Sequence, residues 1–168
     1  MMSTENSDTR KLIWTAALNN DWETVKQYLE REPSLIDVTG DIFMEGLTDD
    51  EGKEYDGYIT NMFLIHLAAG GCSDVAVLEY LVSRGADVCA KDDIDCTPLH
   101  LAALMNRNVE ILKYLVSQGA DVNAKNTKNC TPLHAASKTD SNVEILQYLV
   151  SQGADINAKD IFGNMPIF

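Results

Sequence analysis

The 168-residue chain is poor in basic residues, with 13 lysines and arginines against 26 aspartates and glutamates and a formal net charge of −13. Affinity for nucleic acids comes mainly from basic side chains that neutralise phosphates. Long apolar runs are also missing, since no stretch approaches the roughly 18 to 20 residues that cross a bilayer. The sequence therefore predicts neither a nucleic-acid partner nor a membrane partner.

Cysteine is scarce as well. The four cysteines include no C-x-x-C pair and show no disulfide-dense spacing, so reduced thiols are expected. The N-terminal segment MMSTENSDTRK is polar and acidic, whereas a secretory signal is basic and then apolar. We predict a cytoplasmic protein, and export by a non-classical route stays open as an alternative.

Motifs for catalysis are missing too. The chain has no phosphate-binding G-x-x-x-x-G-K-[ST], no G-x-S-x-G and no dinucleotide fingerprint. Residues 48–52 place glycine in the wrong register for a calcium loop of the EF-hand type. We therefore expect no enzyme activity, no cofactor and no metal site.

An internal repeat dominates what is present. Residues 97–103 read TPLHLAA, residues 131–136 read TPLHAA, and residues 64–69 form a degenerate copy, LIHLAA. His66, His100 and His134 are 34 residues apart. Each copy precedes a second match, as in VEILKYLVSQGADVN and VEILQYLVSQGADIN, so the chain consists of repeating structural units.

Each unit reads as helix, turn, helix and loop. Threonine before proline at the start of an apolar run is an N-cap followed by a first-turn proline. The second apolar run has helical spacing. Its expected N-caps are Asp74, Asn108 and Asn142, and the glycines expected to end it in a left-handed conformation are Gly85, Gly119 and Gly153.

This pattern resembles the ankyrin repeat, with a period one residue longer than is usual for that family. The resemblance implies an all-α solenoid of stacked helix-turn-helix units with projecting hairpin-like loops. A weaker first unit places Trp14 at the histidine position. The predicted divisions are a polar tail (1–8), one domain (9–168), unit one (about 9–37), an acidic insertion (38–62), units two to four (63–96, 97–130 and 131–164) and a partial unit (165–168).

The resemblance also implies a structural role for the three histidines, which would bond to the threonine of the same motif. Successive stacked units should hold them too far apart to share a metal ion. Cys96 and Cys130 occupy equivalent positions in the same way and should lie too far apart for a disulfide.

In this family the loops between units project as fingers, and together with the first helices they line a concave surface that usually binds a protein. The fingers here are residues 91–96, 125–130 and 159–164, each with one expected left-handed residue: Asp95, Asn129 and Gly163. The candidate partner-binding residues vary between units and lie on the fingers or at the ends of the first helices: Asp93, Ile94, Leu104, Met105, Thr127, Lys128, Lys138, Thr139, Ile161 and Phe162. Alternatively, some of them pack on neighbouring fingers, and Phe162 covers the end of the array.

The insertion at 38–62 is a long loop that contains seven carboxylates and one lysine. We hypothesise that it binds a basic protein or regulates access to the groove; the alternative is a solvated, mobile loop, part of which packs on the first two units. The last residues resemble the start of a fifth unit. Three explanations stay open: a longer array, a lid formed by Ile167 and Phe168, or self-association through this end.

The predicted function is thus a non-catalytic scaffold that binds a protein partner of unknown identity through the concave finger and first-helix surface. The alternative is a regulatory or targeting fragment of a larger enzyme, channel or bacterial effector.

Overall fold

The computed structural model describes residues 3–48, 54–138 and 143–166, and for residues 3–7, 41–48 and 54–61 it describes the backbone alone. Thr139, the lid residues Ile167 and Phe168, and the expected cap Asn142 lie outside the described residues. Within those ranges the chain forms eight α-helices, one 3₁₀ turn at Pro33–Asp37 and one pair of strands. The helices are α1 (Ser3–Leu18), α2 (Trp22–Arg31), α3 (Leu64–Gly71), α4 (Val75–Ser83), α5 (Pro98–Met105), α6 (Val109–Ser117), α7 (Pro132–Ser137) and α8 (Val143–Ser151).

The helix ends follow from the residues predicted to make them. Thr97 and Thr131 are the N-caps of α5 and α7, each followed by a first-turn proline. Asp74 and Asn108 cap α4 and α6 by accepting hydrogen bonds from backbone N–H groups two residues on, at 2.9 and 3.0 Å. These cap predictions are confirmed.

The second helix of each of units two to four ends at a glycine with positive φ, which is 101° at Gly85, 97° at Gly119 and 89° at Gly153. The N–H of the following alanine reaches back to a carbonyl five residues earlier, as from Ala86 to Leu81 at 3.0 Å. Only glycine adopts this left-handed conformation at little cost. The predicted helix ends are therefore confirmed.

The units stack in one row. The first helices α1, α3, α5 and α7 are neighbours in that order, and α4, α6 and α8 form a second layer. One hydrophobic core runs through all four units, and its central leucines include Leu78, Leu99, Leu115 and Leu149, each fully buried. The predicted all-α solenoid is confirmed.

The insertion differs from the loop expected from its sequence. Strands β1 (Thr39–Thr48) and β2 (Glu54–Phe63) pair antiparallel, with Thr39 opposite Phe63 and Thr48 opposite Glu54. The register shifts between Gly40 and Ile42 and again between Met44 and Leu47. Aromatic and β-branched residues stand between the acidic ones, among them Ile42, Phe43, Tyr58 and Ile59, and these residue types favour strands.

The base of this hairpin is fixed against the solenoid. A Cβ atom on Gly40 would overlap the indole ring of Trp14, so only glycine allows β1 to approach α1 this closely. Met62, near the end of β2, is buried. The hairpin therefore leaves the solenoid from a fixed position beside units one and two.

Candidate functional site

In each finger, one side chain shapes the backbone by accepting two hydrogen bonds from backbone N–H groups. In the 91–96 finger, Oδ1 of Asp92 accepts hydrogen bonds from the N–H groups of Ile94 and Cys96, at 3.0 and 2.8 Å. Asn126 and Asp160 make the same pair of bonds in the other two fingers. The predicted left-handed residues are confirmed, with φ of 59° at Asp95, 55° at Asn129 and 82° at Gly163.

Backbone hydrogen bonds also join neighbouring fingers. The N–H of Thr127 donates to the carbonyl of Ile94, and the N–H of Ile161 donates to the carbonyl of Lys128, both at 3.0 Å. Each finger therefore supports the next, and the three display their side chains from a connected backbone edge.

The 91–96 finger differs from the others in one respect. Asp92 is 5% exposed, and its Oδ2 atom is buried without a hydrogen-bond partner. Burial raises the pKa of Asp92 above its usual value, against the effect of the two backbone N–H donors. Burial therefore opposes ionisation of the carboxyl group that shapes this finger.

The histidines connect first helices to fingers. Nδ1 of His100 accepts from the N–H of Thr97 at 3.1 Å and lies 2.9 Å from its hydroxyl, and His134 makes the same contacts with Thr131. The expected bond to the threonine of the motif is therefore present in both units. In His66 the Nδ1 atom accepts from the N–H of Phe63 instead.

The opposite ring nitrogen makes a contact that the sequence did not predict. Nε2 of each histidine lies 3.0 to 3.2 Å from the carbonyl of the last finger residue, which is Cys96, Cys130 or Asn164. Burial lowers the pKa of His66 to about 4 and also lowers that of His100, so both are neutral at pH 7. Among the described residues, no three His, Cys, Asp or Glu side chains gather to hold a metal.

Two cysteines near the groove are weak nucleophiles. Burial raises the pKa of both Cys72 and Cys96 to about 11, so they are protonated thiols at neutral pH. Cys96 also lies 3.4 Å from the side-chain nitrogen of Asn126. Their surroundings are those of packing residues.

The structure places most predicted partner-binding residues at the surface. Ile94, Met105, Ile161 and Phe162 are exposed large apolar side chains, and Phe162 is 53% exposed. Asp93, Thr127 and Lys138 are exposed too, whereas Leu104 and Lys128 are half-buried. The finger backbones thus pack on one another while several of their side chains face solvent.

The structure also contains a cleft between the first helices that the sequence did not predict. Of its lining residues, only Met105 is also a predicted partner-binding residue. The cleft has a volume of about 350 Å³. Its lining residues come from α1 and the turn after it, α3, α5 and the hairpin base. Most are apolar or glycine: Ala17, Leu18, Asn20, Met62, His66, Leu67, Gly70, Gly71, Leu101 and Met105.

The cleft exists because side chains are missing from the end of α3. Aligning the units on their histidines places Gly70 and Gly71 where the third unit has Leu104 and Met105. A Cβ atom on Gly70 would meet the Met105 sulfur at 3.5 Å, and one on Gly71 would meet nothing within 4 Å. This difference between aligned units was a signal in the sequence that could have located the cleft.

The exposed face of unit four is a second apolar region. Val143, Val150, Ile156 and Met165 are exposed there. Val109, which is equivalent to Val143 in the preceding unit, is buried.

In the described part of the chain, no helix has both the length and the apolarity needed to cross a membrane.

Comparison with known proteins agrees with this architecture. A family model described as ankyrin repeats, in three copies, matches residues 12–126 and 65–160. Among curated proteins, none matches the sequence significantly. The two matched segments span most of the chain and contain the three histidines and the glycine-ended helices described above. The chain belongs to the ankyrin-repeat family.

Proposed function

We propose that this protein is a non-catalytic scaffold that binds a partner protein through its concave surface, formed by the fingers and the first helices. Ankyrin repeats are a general protein-interaction module. The observation that carries the proposal is the linked finger edge, which presents Ile94, Ile161 and Phe162 from a backbone held by hydrogen bonds. A surface ordered in advance loses little conformational entropy when it binds.

The test is a quadruple substitution to alanine at Ile94, Met105, Lys128 and Phe162, followed by pull-down from the native cell. We expect retention of the partner to fall at least tenfold, since apolar anchors contribute most to such interfaces. Unaltered retention would refute the assignment of this face.

The matched control carries four alanines on the exposed side of the second helices and their ends, at Glu79, Lys113, Gln118 and Gln147. This variant should retain the partner. Both variants should show the unfolding midpoint of the parent protein, because surface substitutions usually change stability by less than about 0.5 kcal/mol.

The acidic hairpin is assigned a role in the same interface. Residues 39–63 contain seven carboxylates and one lysine, which favours a basic partner through electrostatic attraction. Replacing the hairpin with a seven-residue loop such as residues 124–130 should weaken binding and reduce its dependence on salt. Full retention of the partner by this variant would end the hypothesis.

A second candidate function is that the repeats are a regulatory or targeting part of a larger enzyme, channel or effector. The exposed apolar face of unit four favours it, because such faces normally pack against another element. Sequencing the coding region beyond Phe168 distinguishes the two functions. We expect the protein to act in the cytoplasm, with non-classical export as the alternative, and imaging of a tagged form would decide between them.

A further inference from the structure

The cleft at Gly70 and Gly71 indicates more about the partner than the fingers do. We infer that this cleft receives one apolar side chain, such as leucine or methionine, from a partner segment whose neighbouring residues are lysine or arginine. The inference rests on the proposed function and specifies the chemistry of the partner.

The size and lining of the cleft allow a large apolar side chain to enter. Its volume of about 350 Å³ lies near the lower limit of pockets that enclose small ligands. Leu67 and Leu101 contribute apolar walls, and Met105, 51% exposed, lies at its rim. A partner side chain would occupy the position at which the next unit has the side chain of Leu104.

Charge identifies the residues that flank the apolar side chain. Met62 belongs both to the cleft lining and to β2, so the hairpin begins at the edge of the cleft. The described strands, residues 39–48 and 54–63, contain four carboxylates and no lysine or arginine, and Asp41 follows Gly40, which pairs with Met62. Opposite charge on a partner speeds association and fixes its orientation, so a segment with lysine or arginine beside the apolar residue fits this site.

The same charges disfavour a second copy of this chain as the occupant. Each copy has a formal net charge of −13, and like charges across an interface oppose association. A basic segment of another protein is therefore the occupant to which the inference commits.

Selection of displayed random 12-residue peptides against the whole protein tests the inference. We expect enriched peptides to share one large apolar residue with an excess of lysine and arginine around it. A synthetic peptide from that set should bind at least about tenfold more weakly when its apolar residue becomes alanine. Enrichment of acidic peptides, of peptides without an apolar residue, or of nothing above background would overturn the inference.

The substitution Gly70→Leu places in α3 the residue found at the equivalent position of α5, and should close the cleft. Leucine instead of glycine also favours the helix, and circular dichroism would verify folding. We expect this variant to lose at least tenfold in affinity for the selected peptide. Equal affinity would show that the peptide binds elsewhere.

Gln118→Leu is the control, because Gln118 is exposed at the end of α6 and lies outside the proposed binding surface. It adds the same side chain away from the cleft, so it should not weaken binding of the peptide. A native partner that is retained by Gly70→Leu but lost by the quadruple alanine variant of the fingers and Met105 would refute the cleft and leave the proposed function intact.

Discussion

The third and fourth units contain almost the same second helix but bury it differently. Helix α6 reads VEILKYLVS and α8 reads VEILQYLVS. Val109 in α6 is 6% exposed, whereas the equivalent Val143 is 64% exposed. Leu112 is fully buried, but its equivalent Leu146 is only partly buried. In a stacked array each unit contacts only its neighbours, so the neighbouring unit, more than the local sequence, determines burial.

Replacing leucine by alanine at this shared position should give the largest difference in stability loss between the two units. Leu112→Ala should lower the free energy of unfolding by about 3 kcal/mol, because it leaves a cavity between packed units. Leu146→Ala should cost about 1 kcal/mol, since its side chain already contacts solvent. Urea unfolding monitored by circular dichroism measures both, and equal losses would contradict the comparison.

Acid should lower the stability of the array because it protonates His66, which is fully buried. Its folded pKa of about 4 lies below the usual histidine pKa of 6.5 because of burial, so the unfolded chain takes up a proton more readily. The stability from neutral His66 is complete above pH 6.5 and is lost as pH falls toward 4. The shift corresponds to roughly 3 kcal/mol, and His100 acts in the same direction.

Urea unfolding at intervals between pH 7 and pH 4 measures this loss. The variant His66→Gln should show a shallower fall over that range, whatever its stability at pH 7. A pH dependence identical to that of the parent protein would mean that His66 is not the group responsible.

These comparisons show which features a sequence can predict. The helix caps, Gly85 and the turn residue Asp95 were predictable because each reflects a local backbone requirement. The exposure of Val143 was not, because it depends on whether a neighbouring unit is present. The aligned units differ at Gly70, which is the sequence signal for the cleft. Its walls, however, form only where the three helices α1, α3 and α5 pack together. The hairpin was missed because its charges resembled those of a solvated loop.

Bonds between the turns of neighbouring units should show a smaller contrast. The Asn123 side chain donates to the Gly153 carbonyl at 3.0 Å and accepts from the Asp155 N–H at 2.8 Å. Asn157 is equivalent but exposed. Asn123→Ala should lower the free energy of unfolding by about 1.5 kcal/mol, and Asn157→Ala should change it by less than about 0.5 kcal/mol.

Unit two offers the reverse experiment. Cys89 stands at the asparagine position, and its sulfur lies 3.7 Å from the Gly119 carbonyl. Cys89→Asn should therefore stabilise the array by about 1 kcal/mol, if the amide makes the bonds of Asn123. Thermal unfolding of all three variants would measure this, and a lower midpoint for Cys89→Asn would show that the turn cannot accommodate the amide.

The smallest change in stability is expected at the residue that shapes each finger, which is Asp92 in one finger and Asn126 in the next. Asp92→Asn keeps the Oδ1 acceptor and removes a buried charge, as in the finger shaped by Asn126. We expect the free energy of unfolding at pH 7 to rise by about 0.5 kcal/mol. The raised pKa of Asp92 means that the folded state binds its proton more tightly. The parent protein therefore loses stability relative to the variant as pH rises from the pKa of Asp92 in the unfolded chain through its pKa in the folded protein.

Asp160 is the control, because it shapes its finger in the same way but is less buried. Burial acts to raise the pKa of Asp160, and hydrogen bonds from Asn164 and Phe162 outweigh it, so that the pKa lies below its usual value. Asp160→Asn should therefore slightly destabilise the protein at pH 7, opposite in sign to Asp92→Asn. If both variants shift the urea midpoint in the same direction, burial by neighbouring units does not explain the difference between the fingers.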